Sequence, residues 1–142
     1  MKGTLSLVLP ARLENLQAFL ETAKERAAAA GLGPKKVFRL ELALEEALVN
    51  IINYAYEEGE GEIRILCASD DHGTFVTEIT DNGRPFVMSA VPPPDLTSGV
   101  DERRIGGLGI HLMKSLIDEV SYRREEEENV LSLRISLASP DV

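Results

Sequence analysis

The stretch Glu45-Glu-Ala-Leu-Val-Asn-Ile-Ile-Asn-Tyr-Ala-Tyr56 mixes acids, amides and aliphatic residues at helical spacing. Val37, Leu40, Leu44, Ala47, Leu48, Ile51 and Ala55 fall on one stripe, which predicts a helix from Pro34 to Tyr56. Pro34 suits its first turn, where a missing N–H costs nothing. At about 100° per residue, Asn50 lies about 40° from Glu46 on this wheel and Asn53 about 20° to the other side. These three polar residues share a face opposite the apolar stripe. Leu42 and Val49 fall within about 60° of Glu46. A polar island bordered by aliphatic residues reads as the wall of a cleft; for an isolated helix the other reading is a solvent face. A carboxylate and a carboxamide on adjacent turns can address one ligand, and such oxygen ligands suit Mg²⁺ bridging to phosphates.

Outward from this helix, the rest of the chain alternates strands and helices. Thr4 to Leu9 places Leu5, Leu7 and Leu9 on one face and ends at Pro10, a short edge strand. Such an edge is open to pairing with a second copy of the chain. Ala11 to Ala30 carries Leu13, Leu16, Leu20, Ala23, Ala27 and Ala30 at helical spacing, and Gly31 and Gly33 stop it. Glu57 to Gly61 reads as a turn. Ile63, Ile65 and Cys67 form one strand face, Phe75 and Ile79 another, and Asp70-Asp-His-Gly73 joins the two strands as a hairpin. Asn82 to Ile105 has no periodicity and contains Pro85, Pro92, Pro93, Pro94 and Gly99. A segment of that length reads as a lid over a site or as disorder. A third helix is predicted over Leu108–Asp118, and strands over Val120–Arg124 and Val130–Leu137. Glu125 to Glu128 is a solvated run at their hairpin tip.

The order β-α-α-β-β-lid-α-β-β predicts an α/β (α+β) two-layer sandwich. A largely antiparallel or mixed sheet of about five strands is covered on one face by three helices. The 142 residues, 44% of them hydrophobic, make a single domain over residues 1–142 with a real core. The formal charge of −9 argues against a nucleic-acid surface or an anionic membrane. The single Cys67 excludes an internal disulfide and a multi-cysteine zinc site; in the run Ile63–Ala68 it reads as core. No apolar stretch reaches the roughly 20 residues of a membrane span, and Met1 to Pro10 lacks the apolar region of a signal peptide. A cytoplasmic location is expected.

Two further segments carry chemistry. Asp81 follows Phe75 and Ile79 in the alternation, so it points toward the helix-covered face. A carboxylate there is costly without a donor partner. The exocyclic amino group of a bound purine would supply one, and Gly83 would let the backbone approach the ring; a plain Asn-Gly turn is the other reading. Gly106-Gly-Leu-Gly109 opens the third helix. Three glycines in four residues are a poor helix start but suit backbone N–H groups that approach phosphates. Arg103 and Arg104 lie just upstream and can supply charge to a terminal phosphate.

Together these segments resemble the N box, first glycine box and second glycine box of the ATPase superfamily shared by gyrase, heat-shock chaperones, histidine kinases and mismatch-repair proteins. The compact length looks like the bacterial anti-sigma factor serine/threonine protein kinases. So do Glu45–Tyr56, Thr80-Asp-Asn-Gly-Arg-Pro-Phe86, Ile105-Gly-Gly-Leu-Gly-Ile-His-Leu112, Asp118-Glu-Val-Ser-Tyr122 and Asn129-Val-Leu131. The resemblance implies a Bergerat-type ATP-binding fold with ATP and Mg²⁺ as cofactors and a lid over about residues 82–109. It implies Glu46 as base or orienting group for the attacking hydroxyl and Asn50 as the Mg²⁺ ligand. Asn53 stands beside them. Asp81 would hold the adenine amino group and Gly83 allow its close approach. Gly106, Gly107, Leu108 and Gly109 would cradle the phosphates, with Arg104 as the nearer upstream arginine. The chain departs from the pattern at Tyr54, where many relatives carry His, and at Ile105, which separates Arg104 from the glycines.

The implied activity is transfer of the ATP γ-phosphate to a Ser or Thr of a STAS-type anti-anti-sigma partner, coupled to sequestration of a sigma factor. The alternative is a nucleotide-gated binding switch with little or no transfer. A fragment of a larger signalling ATPase is a third reading, disfavoured by the chain's own first strand and helix. His72 and His111 read as surface or cleft-rim residues, not phosphoacceptors. The chain has no Gly-x-x-x-x-Gly-Lys-[Ser/Thr] loop, which excludes a P-loop enzyme.

Overall fold

The computed structural model describes residues 2–55, 61–83 and 107–141. The strands are β1 (Lys2–Pro10), β2 (Glu62–Ser69), β3 (Thr74–Asp81), β4 (Glu119–Glu125) and β5 (Glu128–Ser136). The helices are α1 (Leu16–Ala29), α2 (Pro34–Asn50) and α3 (Gly107–Leu116). The five strands form one sheet in the order β1-β2-β3-β5-β4. Every neighbouring pair is antiparallel, so the described sheet has no mixed part.

Register explains which face is buried. Leu7 lies opposite Ile65, Ile65 opposite Ile79, and Ile79 opposite Leu131. Side chains directly opposite one another share a face, so one apolar band crosses the sheet from β1 to β5. The helices cover this band with Phe19, Leu20, Ala23 and Ala27 from α1, Leu40, Leu44 and Leu48 from α2, and Met113 from α3. Helix α2 packs against both α1 and α3 and is the central helix of the layer. Cys67 is fully buried in this core, and burial pushes its thiol up to about 11.

The opposite face is not bare. β3 is flanked by β2 and β5, and its Val76 and Thr80 on this side are also buried. Charged side chains lie here as ion pairs, Arg123 with Glu78 at 3.6 Å and Arg134 with Asp70 at 3.5 Å.

The bounds of all three expected helices shift. The first helix begins with a separate 3-10 turn, Leu13–Asn15, and Leu13 is exposed instead of joining the core stripe. Asn15 Nδ2 donates to Pro10 O at 2.9 Å, which holds the chain in that turn before α1 starts. The second helix changes pitch after Asn50 and continues as a π turn, Ile51–Ala55. Tyr56 and residues 57–60 of the expected turn lie outside the described residues. The third helix starts at Gly107 and ends at Leu116, short of Asp118, whose carboxylate instead accepts the Ser136 N–H at 2.7 Å.

The hairpins form as expected. Asp70 Oδ1 accepts the N–H groups of His72 and Thr74 at 2.9 and 3.0 Å, and Gly73 takes the positive φ of +77° that closes the β2–β3 turn. At the β4–β5 tip, Glu126 and Glu127 both carry positive φ, +46° and +69°. Two such residues in a two-residue loop match the twist of the flanking strands, but no glycine is there to relieve the crowding.

The start of α2 is held by residues from a distant part of the chain. Pro34 has no N–H to satisfy. The N–H groups of Lys35 and Lys36 donate to Asp141 Oδ2 and Oδ1 at 3.2 and 2.8 Å, and Val37 N–H donates to Gly33 O. The side chain of Lys36 is buried, and its ammonium donates to Ser136 O, Ser139 O and Ser139 Oγ at 2.7 to 2.8 Å.

Candidate nucleotide site

Asp81 closes β3, with Ile63 of β2 on one side and Asn129 of β5 on the other. The alternation of β3 carries it to the helix-covered face, as its phase with Phe75 and Ile79 predicts, and it is buried. Burial pushes its carboxyl up from the ordinary value, and hydrogen bonds from Asn129 and Gly83 pull the other way. Asn129 Nδ2 donates to Oδ1 at 3.0 Å, and Gly83 N–H donates to the same oxygen at 2.9 Å. Oδ2 receives no hydrogen bond from the described residues. An oxygen in that state, on a buried side chain, is an acceptor suited to an N–H donor from a ligand.

Glu46 and Asn50 lie one turn apart near the end of α2, and both are half-buried. Val49 and Leu42 beside them are half-buried too, which fits the aliphatic border. Leu42 also lines an open apolar groove with Pro34, Phe38 and Leu116, toward the start of the helix. Asn53 departs from the wheel. It falls within the π turn, where each residue advances by less than the roughly 100° of an α-helix, so it rotates away from the Glu46–Asn50 line. Asn53 is exposed. Short π segments of this kind are frequent at functional sites.

Gly107, Leu108 and Gly109 form the first turn of α3, so these two glycines belong to the helix N-terminus and not to a loop before it. Backbone N–H groups of such a turn have no partner within the helix. Arg104 and Gly106 lie outside the described residues, as does most of the segment 82–109 expected as a lid. Among the described residues no group of three or more His, Cys, Asp or Glu is gathered as a metal cage. The donor set is instead one carboxamide and one carboxylate, consistent with a Mg²⁺ held largely by phosphates and water.

Asn129, Tyr122 and Arg124 take roles at the site that their sequence positions did not suggest. Asn129 Oδ1 accepts from Tyr122 OH at 2.6 Å and from Arg124 Nη1 at 3.1 Å, and the same Nη1 donates to Gly83 O at 2.9 Å. One signal was available: Asn129 stands in phase with Leu131, Leu133, Ile135 and Leu137, a polar residue heading a core-facing stripe.

A covered antiparallel sheet with a buried carboxylate at the end of a central strand, and an acid and amide on the central helix, defines a two-layer α+β domain with a candidate ligand cleft. A family model described as "Histidine kinase-like ATPase domain" matches residues 9–135, and the chain belongs to that family. It is 28% identical over 131 residues to serine-protein kinase RsbW of Bacillus cereus, covering 89% of this chain and 81% of the relative. The serine-protein kinase RsbW of Listeria monocytogenes is 28% identical over 138 residues, covering 92% and 86%. Among solved structures, the RsbU and RsbW domains of Rv1364c from Mycobacterium tuberculosis superpose with a TM-score of 0.69 at 16% identity. That match covers 96% of this chain and only 33% of the Mycobacterium chain. The SiaB–SiaC complex of Pseudomonas aeruginosa matches with a TM-score of 0.66 at 16% identity, over 92% and 88% of the two chains. Both likenesses bear out the fold read from the sequence.

Proposed function

We propose that this chain is an ATP-dependent protein serine/threonine kinase that regulates a sigma factor through a STAS-type anti-anti-sigma partner. The observation that carries the reading is Asp81: a buried carboxylate with one oxygen occupied inside the protein and the other open to a donor. Adenine presents such a donor in its 6-amino group. Family membership and relatives named serine-protein kinase support phosphoryl transfer. A fold neighbour solved as a complex with a second protein supports a protein partner.

Each residue then has a task. Asp81 accepts from the base, and Gly83 leaves room for the ring. Asn50 would hold Mg²⁺, which neutralises phosphate charge. The N–H groups at the start of α3, Gly107 to Gly109, bind phosphate oxygens; Gly106 and Arg104, outside the described residues, are assigned to the same task by the resemblance alone. Glu46 orients the serine or threonine hydroxyl of the partner and takes its proton as the new P–O bond forms. The bond between the γ-phosphorus and the bridging oxygen breaks, and ADP is the leaving group. Asn53, exposed within the π turn and turned off the Glu46–Asn50 face, is left without a task at the ligand.

The test is label transfer. The chain is mixed with a STAS-domain partner, Mg²⁺ and γ-labelled ATP, beside Glu46→Ala. Label on the partner that disappears in the variant supports the kinase. An ATP-dependent complex without label establishes the binding switch in its place. Absence of ATP binding overturns both. Pairing of two copies through β1, an edge strand of the sheet, is read from the oligomeric state of the same preparation.

A further inference from the structure

Asp81, Asn129 and Arg124 form one row across three strands. Asn129 is the register partner of Asp81 on β3 and of Arg124 on β4. Tyr122 sits diagonally, two residues along β4, on the same face. The row settles the orientation of the Asn129 amide on chemical grounds. A guanidinium has only donors, so the atom 3.1 Å from Arg124 Nη1 is the amide oxygen. The amide nitrogen therefore faces Asp81. The Tyr122 hydroxyl donates to the same oxygen at 2.6 Å, and the acceptor-only Asp81 carboxylate faces the amide nitrogen.

The same guanidinium reaches the Gly83 carbonyl. It thus grips the turn whose N–H is the second donor to Asp81 Oδ1. Both donors on Oδ1 are held in place by a single arginine, one through Asn129 and one through the backbone. Left to itself, the carboxylate rotates readily about its last torsion, which is broad. Two fixed donors on one oxygen stop that rotation.

We propose that Asn129 is a positioning residue that locks the Asp81 carboxylate with Oδ2 toward the base, and that Tyr122 and Arg124 hold Asn129 in the orientation this requires. The inference rests on the assignment of Asp81 to the adenine amino group. A locked carboxylate is an acceptor only. It takes a base edge that offers an amino group and rejects one that offers nothing or a carbonyl oxygen. A carboxylate free to turn loses much of that discrimination, because it reaches other donors and water.

The test is a ratio. Dissociation constants for ATP and for purine riboside triphosphate, which lacks the 6-amino group, are measured by calorimetry with Mg²⁺ for wild type, Asn129→Leu, Tyr122→Phe and Asp81→Asn. Partial loss of folded protein lowers both affinities together and leaves their ratio unchanged. Wild type is expected to prefer ATP by about 100-fold, Asn129→Leu by less than about tenfold, and Tyr122→Phe by a value between. Tyr122→Phe removes one half-buried hydroxyl and carries the test if Asn129→Leu does not fold. Wild-type preference for ATP with an undiminished ratio in both variants overturns the positioning role alone. A wild type that does not distinguish the two nucleotides overturns the adenine assignment and this inference with it.

Discussion

The backbone N–H of Lys36 donates to Asp141 Oδ1 at 2.8 Å, across 105 positions of sequence. With Lys35 N–H on Oδ2, the carboxylate caps the first turn of α2. Gly33, at the cap position itself, has no side chain to offer. A carboxylate at a helix N-terminus satisfies orphan donors and meets the positive end of the dipole. Asp141→Ala should lower stability by about 1 kcal/mol, read as a fall in the denaturation midpoint with an unchanged slope. Gly33→Ala should cost at least as much, since a Cβ there would lie 2.4 Å from Asp141 Cγ and displace the cap. Unfolding curves identical to wild type for both would refute the cap.

Asp81→Asn separates stability from binding. Burial raises the folded-state carboxyl above its unfolded value. A group shifted that way favours the fold below the unfolded value and loses the advantage as pH rises through the folded one. At pH 7 the ionised Asp81 is therefore a cost, and the asparagine variant should be at least as stable as wild type. That gap should close as pH falls toward about 4. ATP binding should weaken by about 100-fold or more, because the amide can turn a donor toward the base where an acceptor is needed. Calorimetry with ATP and unfolding at several pH values check the two halves separately.

Asn50 and Asn53 should behave differently. The first is half-buried on the Glu46 face, and the second is exposed within the π turn. Asn50→Ala should abolish most of the Mg²⁺ dependence of ATP binding. Asn53→Ala should change the dissociation constant by less than about threefold, as is usual for an exposed side chain. Equal losses in the two variants would place Asn53 back on the ligand face.

The β4–β5 tip is suboptimal as built. Glu126 and Glu127 occupy left-handed backbone, at about 1–2 kcal/mol each for an L-residue. The double substitution Glu126→Asn, Glu127→Gly supplies the residue types preferred in such a turn. It should raise stability by about 1 kcal/mol and leave nucleotide affinity unchanged. A thermal midpoint at or below that of wild type would contradict backbone strain at the tip.

The sheet was legible because its strands alternate strictly. Leu131, Leu133 and Ile135 announce the buried face of β5, and Asp81 inherits its direction from Phe75 and Ile79. The motif residues Glu46 and Asn50 were legible because a regular helix obeys a fixed angle. Asn53 shows where that logic fails: a change of pitch after Asn50 leaves no mark in the residue pattern. The tasks of Asn129 and Arg124 were hidden for another reason, although Asn129 itself stands in a motif segment and in phase with the core-facing stripe. Their role depends on which residue of β5 faces Asp81, and pairing register between strands so distant in sequence is set by the packed sheet. The cap from Asp141 was unreadable in the same way, since cap signals are sought next to a helix and not 105 residues downstream.

That distance bears on how the protein is made. The central helix is translated early, yet the carboxylate that closes its leading turn, and the Ser139 oxygens that receive the Lys36 ammonium, emerge from the ribosome only after β5. Until then the nascent helix has a frayed beginning and a lysine with nowhere to settle. Assembly of the domain is thereby coupled to the arrival of the segment beyond β5, and a chain ending at Ser136 should unfold at a lower denaturant midpoint than the full chain.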